Sequence, residues 1–183
     1  VLKELVNPER LNEANSNFEE INNLSHDIFA LNSTFQQGQW NTRLTNLKND
    51  SVLFQWTLDE KYFYSTGRVF SHSGPRLPII LKDTSLILFN NESFNLFRLN
   101  SNSQIIWKNN DFQFHHAINL DHAGSIWACT RKRVVSVNHN VRYWDNYITK
   151  VDVETGKTLF HKSLTKIFLD NNLNYLIHGV GNM

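Results

Sequence analysis

The chain has 183 residues with 18 basic and 17 acidic side chains, so its net charge of +1 excludes recognition of nucleic acid or a membrane surface by bulk charge. Its length suits one domain or a piece of a larger one, and 40% hydrophobic with 13% aromatic content supports a real core. Alanine is scarce while Val, Ile, Phe, Trp and Thr are common, which favours strands.

Residues 1–24 differ from the rest. Asn7 is an N-cap ahead of Pro8 at the first helical position, and Leu11, Ala14, Phe18, Ile21 and Leu24 recur at helical spacing. This predicts one amphipathic helix and a lead-in, packed against the strands C-terminal to it. The chain opens on Val1 with no charged-then-apolar signal segment, so an upstream targeting segment is expected to be missing. No apolar run approaches 18 residues, which excludes a transmembrane helix.

From about residue 25 the pattern becomes short strands and polar turns. Residues 52–56, 62–64, 77–81 and 86–89 are strand-like, and Gly74-Pro75 with Leu77-Pro78 marks a loop or a sheet edge. One unit recurs: an apolar strand, a polar turn opened by Asn or Asp, and a return strand reaching a large aromatic. It runs from Ile28 through Asn32-Ser33 to Trp40, from Leu96 through Asn100-Ser101 to Trp107, and from Ile148 through Asp152 and Gly156 to Phe160. Repeating antiparallel hairpins predict an all-β fold, a partial β-propeller of about three blades over residues 25–183. Fewer than about four blades do not close a ring, so the domain is expected to continue beyond the chain end. The tryptophans 40, 56, 107 and 127 read as packing between blades.

Residues 112–130, FQFHHAINLDHAGSIWACT, read as a hairpin in which two adjacent histidines occupy strand positions. Alternation sends His115 and His116 to opposite faces, so at most one of them needs a functional explanation. Their adjacency is the wrong spacing for a metal site, and no Asp, Glu or Cys cluster supplies further ligands. Cys129, the only cysteine, reads as a small core residue, and no intrachain disulfide can form. Arg131-Lys132-Arg133 reads as a solvated loop. His122 lies in a turn, and His139, His161 and His178 fall in loops or strand ends with surface or packing roles. Nucleophilic-serine, phosphate-loop and dinucleotide signatures are absent, and no cofactor is predicted. Residues 163–177 return to helix-like spacing at Leu164, Ile167, Phe168, Leu173 and Leu176, broken at Asp170-Asn171-Asn172. They predict a short helical insertion of one or two helices.

Three stretches resemble the arylsulfotransferase family, the PAPS-independent arylsulfate sulfotransferases. Residues 114–127 look like its Phe-His-His strand, Asp-x-x-Gly turn and Ile-Trp return. Residues 145–159 look like its blade hairpin, and residues 162–181 are similar to a helical insertion of one branch. The likeness is strongest over about residues 95–183, weaker over 50–95 and absent from the N-terminal helix.

The resemblance implies a six-bladed propeller with an axial funnel and a periplasmic, bacterial protein. There a histidine takes a sulfuryl group from an aryl sulfate and passes it to a phenol without a nucleotide cofactor. The family's Asp-x-x-His-x-Asn motif, its arginine and its sulfate-accepting histidine lie beyond residue 183. What carries over is the Phe-His-His element, at His115 and His116, as sulfate contacts rather than the nucleophile. His116 is the preferred residue, with the other histidine packed between blades. The expected partners are therefore small molecules, an aryl sulfate and a phenol, and the fragment alone is expected to be inactive. The rival reading is a non-catalytic propeller scaffold. A quinone-dependent dehydrogenase shares the Asp-x-x-Thr-Gly-Lys turn but lacks its calcium-binding carboxylates and vicinal cysteines here.

Overall fold

A computed structural model describes residues 24–62, 75–90, 94–135 and 142–173. The helix expected over residues 1–24 lies outside them, apart from Leu24. The described chain is all-β, in three antiparallel sheets with one short helix. No described helix is long and apolar enough to cross a membrane.

The first sheet holds β1 (Phe29–Gln36), β2 (Gln39–Asn46) and β3 (Ser51–Asp59) in sequence order. Its first hairpin turns at Gln37-Gly38, both with positive φ, as a two-residue turn requires. The turn is therefore not at Asn32-Ser33, which lie mid-strand opposite Arg43 and Thr42. Tyr62, expected in a strand, ends a 3₁₀ turn over Glu60–Tyr62.

The second sheet is a four-stranded meander of β4 (Pro75–Ile80), β5 (Leu86–Asn90), β6 (Leu96–Leu99) and β7 (Ile105–Asn109). The third repeats that plan with β8 (Gln113–Leu120), β9 (Ser125–Val135), β10 (Arg142–Asp152) and β11 (Thr158–Ser163). Pro75 and Pro78 sit on an edge strand, where a missing N–H costs no ladder bond. The sequence Arg131-Lys132-Arg133 lies within β9 rather than in a loop, paired with Asn146, Asp145 and Trp144 of β10.

Four hairpins of the two meanders share one turn chemistry. The N–H of Leu81, Asn100 and Asp121 donates to the carbonyl of Ser85, Gln104 and Ser125, and that of Asp152 to Lys157. A left-handed residue closes each turn: Thr84, Ser103, Gly124 and Gly156. Polar side chains brace them, for the Asp121, Asn100 and Asp152 Oδ1 atoms all accept backbone N–H bonds inside their own turns.

The sheets stack through the middle one. Every residue of β5 is buried, because Leu86 and Leu88 pack with Trp56 and Leu58 of the first sheet while Ile87 and Phe89 face the third. There they meet Phe114, Ile118, Ile126, Ala128 and Val151. Each such side chain stabilises the stack by about 1.5–3 kcal/mol. The helix α1 (Leu164–Asp170) follows β11 directly, capped by Ser163 and ended at Asn171 by a left-handed Asn172. It answers to the first half of the expected insertion; residues from 174 onwards lie outside the described part.

Candidate functional site

β4 and β8 are the edge strands of their sheets and lie against one another. Both break their ladders. Between Phe114 and Ile118 β8 takes four steps while β9 takes two, from Thr130 to Ala128. Between Arg76 and Ile79 β4 takes three steps against two on β5. Such bulges twist the edge and re-aim side chains.

His115 and His116 fall inside the β8 bulge. His115 is 5% exposed and His116 is exposed, the division that alternation predicts. The cause is different. His116 has φ 63°, a left-handed conformation uncommon for a residue with a Cβ, and the two rings meet at 4.4 Å with 63° between their planes. The strand therefore does not separate them onto opposite faces; the bulge brings the two imidazoles into edge contact, one buried and one exposed. Phe114 anchors the element from below, fully buried between the sheets.

The turn beyond the histidines is rigidly built. Asp121 Oδ1 accepts from the N–H groups of Ala123 and Ser125, and Oδ2 accepts from Trp127 Nε1 at 2.9 Å and pairs with Lys150 at 3.0 Å. The Ser125 N–H above all, then Lys150 and Trp127, hold this carboxyl well below the usual carboxylate range. Asp121 stays ionised and the β8–β9 hairpin stays in register. His122 at its tip is exposed, as expected of a turn residue.

Local pattern does not reveal a second histidine environment. His161 lies inside β11 rather than at a loop, stacked between Phe112 at 3.9 Å and Tyr147 at 4.3 Å. Its Nδ1 lies 2.9 Å from Thr149 Oγ1, which lies 2.7 Å from Thr130 Oγ1. Burial lowers its pKa, opposed by nearby Asp145 and reinforced by Lys132. The even spacing of Tyr147 and Thr149 is a signal of one shared face, but their cross-strand partner cannot be assigned without the register. His139 and His178 lie outside the described residues.

Cys129, expected in the core, is exposed instead. It belongs to the outward face of the third sheet, with Ile148, Trp144 and Phe160, and Arg131 lies 4.2 Å over the Trp144 ring. Three of the four tryptophans pack between sheets, for Trp56 and Trp107 are buried and Trp40 lies against the Trp56 cluster; Trp127 instead is half-buried beside Phe160 and Lys150 and donates to Asp121. No group of three potential metal ligands occurs among the described residues.

A family model described as arylsulfotransferase (ASST) matches residues 77–183, from the β4 bulge to the end of the chain. No curated protein matches the chain.

Proposed function

Because the chain belongs to the arylsulfotransferase (ASST) family, we propose that it is part of a β-propeller whose parent transfers a sulfuryl group from an aryl sulfate to a phenol. His116 contacts the sulfuryl oxygens in this reading, and His115 supports it by edge contact. The observation that carries it is the His116 conformation: a non-glycine residue held at φ 63° in an edge-strand bulge, with its imidazole exposed. Backbone strain of this kind costs about 1–3 kcal/mol and is retained chiefly where a side chain must be aimed.

Sulfuryl transfer breaks the bond between sulfur and the aryl oxygen, releasing a phenolate, and forms a bond from sulfur to the accepting nucleophile. The negative charge stays spread over three sulfuryl oxygens, so positioned donors and cations supply most of the stabilisation. An imidazole suits this place because its ring N–H groups donate hydrogen bonds to such oxygens. The nucleophilic histidine is contributed by a part of the parent outside these 183 residues.

The stacking of the sheets supports the propeller reading. Two successive meanders share a strand plan and turn chemistry, and a third sheet packs on the first of them. The outer face of the first sheet is polar, with Asn41 Oδ1 accepting from Gln55 and Thr57. The outer face of the third carries Trp144, Ile148 and Phe160 exposed, a surface suited to a further blade. A periplasmic location belongs to the same proposal.

The test uses the chain as it stands, with 4-nitrophenyl sulfate and a phenol acceptor. The expected result is a shift of the His116 ring resonances on adding the ester, without release of 4-nitrophenolate. Turnover by this chain alone would remove the missing-nucleophile reading. An unshifted His116 would remove the sulfate contact and favour the binding scaffold.

A further inference from the structure

We propose that Leu77 is the apolar wall of the site that His116 opens, and that it carries the aromatic ring of the ligand. This rests on the sulfuryl-transfer proposal for the identity of the anionic half. Four observations converge on Leu77. It lies in the β4 bulge, on the strand that packs beside β8. It is four residues ahead of the turn residue Leu81, as His116 is five ahead of the matching Asp121. Its φ is 41°, a left-handed conformation for a bulky side chain, and Pro78 follows it, which further disfavours helical backbone at this position. Finally, 58% of its surface is exposed, the largest value among the exposed large hydrophobic residues.

A leucine in that conformation gains nothing from the core that would offset its strain. Glycine would make the same bulge without strain, and a polar residue would suit the exposure better. The side chain is therefore explained by a ligand it meets rather than by a core it packs against. Two neighbouring edge strands thus present, each at its own bulge, one exposed apolar group and one exposed imidazole. That pairing fits a small ligand with a flat apolar body and an oxygen-rich end, the chemistry of an aryl sulfate or a phenol. Leu77 acts on binding and selectivity and takes no part in bond making.

The experiment separates the two halves with two probes on the intact 183-residue chain, 4-nitrophenol for the ring and inorganic sulfate for the anion. Leu77→Gly is expected to keep or raise the melting temperature, since the left-handed backbone suits glycine. It should weaken 4-nitrophenol binding by about five- to tenfold while sulfate binding stays within about twofold. Leu77→Met, which keeps an apolar side chain, should retain most of the 4-nitrophenol affinity. His116→Gln should show the reverse selectivity, weakening sulfate and sparing 4-nitrophenol. An unchanged 4-nitrophenol affinity in Leu77→Gly, or no binding of 4-nitrophenol by the native chain, overturns the inference. Sulfate binding unaffected by His116→Gln overturns the sulfuryl-transfer reading instead, and leaves an aryl-binding wall without that chemistry.

Discussion

Trp107 of the second sheet closes over Gly156 of the third: its Nε1 donates to the Val153 carbonyl at 2.9 Å, and its ring occupies the space a Cβ on Gly156 would need. Such a Cβ would lie 2.6 Å from two ring atoms, and Gly156 also has φ +70°. The tryptophan after one hairpin turn is thus seated on the glycine of the equivalent turn in the next sheet. Gly156→Ala should cost about 2–4 kcal/mol, combining left-handed strain with overpacking against a ring that cannot swing away. Gly124→Ala is the control. Its φ is +78° but its nearest neighbour would be 3.9 Å away, so about 1 kcal/mol is expected. Equal losses for the two in urea denaturation would show that the Trp107 contact is not what demands glycine.

Arg98 ties the same two sheets together. It is buried, and its guanidinium donates to Ser85 Oγ, the Val153 carbonyl, Glu154 at 2.6 Å and Asp83 at 2.9 Å. The acids are more than half exposed, so removing the arginine strands no buried carboxylate. Arg98→Met is expected to cost about 1–3 kcal/mol through its lost buried bonds to Ser85 and to the Val153 carbonyl, which keeps only the Trp107 bond. Glu154→Gln should cost less than about 1 kcal/mol, as exposed ion pairs do. A larger loss for Glu154→Gln than for Arg98→Met would assign the clamp to charge rather than to the buried fork.

Stability should fall as pH drops below neutrality, and His161 is the reason. Burial depresses its folded pKa below the ordinary 6.5, so the unfolded chain binds a proton first. Its contribution is therefore complete above the unfolded value and is lost as pH falls from 6.5 through the folded value. The charges bearing on it are Asp145, which opposes the depression, and Lys132, which adds to it. His161→Gln should flatten this part of the profile, measured as urea midpoints against pH. An NMR titration placing the His161 pKa above 6.5 would contradict the assignment.

At lower pH a second loss belongs to Asp83. The Ser85 hydroxyl, the Ser85 N–H and Arg98 hold this carboxyl at about 2, against an ordinary value of 3.8. A depressed carboxylate stabilises above its unfolded pKa, so its contribution disappears as pH falls from 3.8 towards 2. Asp83→Asn should remove that part of the acid sensitivity and leave the His161 part intact.

Ser163 joins the helix to the sheet. Its hydroxyl oxygen accepts from the Lys166 N–H at 3.0 Å and its proton goes to Asp145 Oδ2 at 2.7 Å. The other oxygen of this buried Asp145, Oδ1, has no hydrogen-bond partner among the described residues. Ser163→Ala should therefore cost more than an ordinary cap, about 2–3 kcal/mol, while Ser163→Thr keeps both bonds and costs less than about 1 kcal/mol. Equal stability of the alanine and threonine variants would dismiss the bridge.

What the sequence determined by itself was local. Period-two alternation, Asn- and Asp-opened turns and edge prolines settled an all-β chain of antiparallel hairpins, and the Ile28 motif failed only because Gln37-Gly38 offered a tighter turn nearby. The His115-His116 pair was legible as a strand element with one buried and one exposed member. Only the tertiary structure decided the rest. Bulges in β8 and β4 are choices of register, made by which partner residues the packed sheets bring opposite, and periodicity assumes no such slip. For the same reason Cys129 came to the surface, Arg131-Lys132-Arg133 entered a strand, and His161 found Phe112 and Thr149. Short-range patterning fixes which residues face a sheet's core; long-range pairing fixes which of them meet.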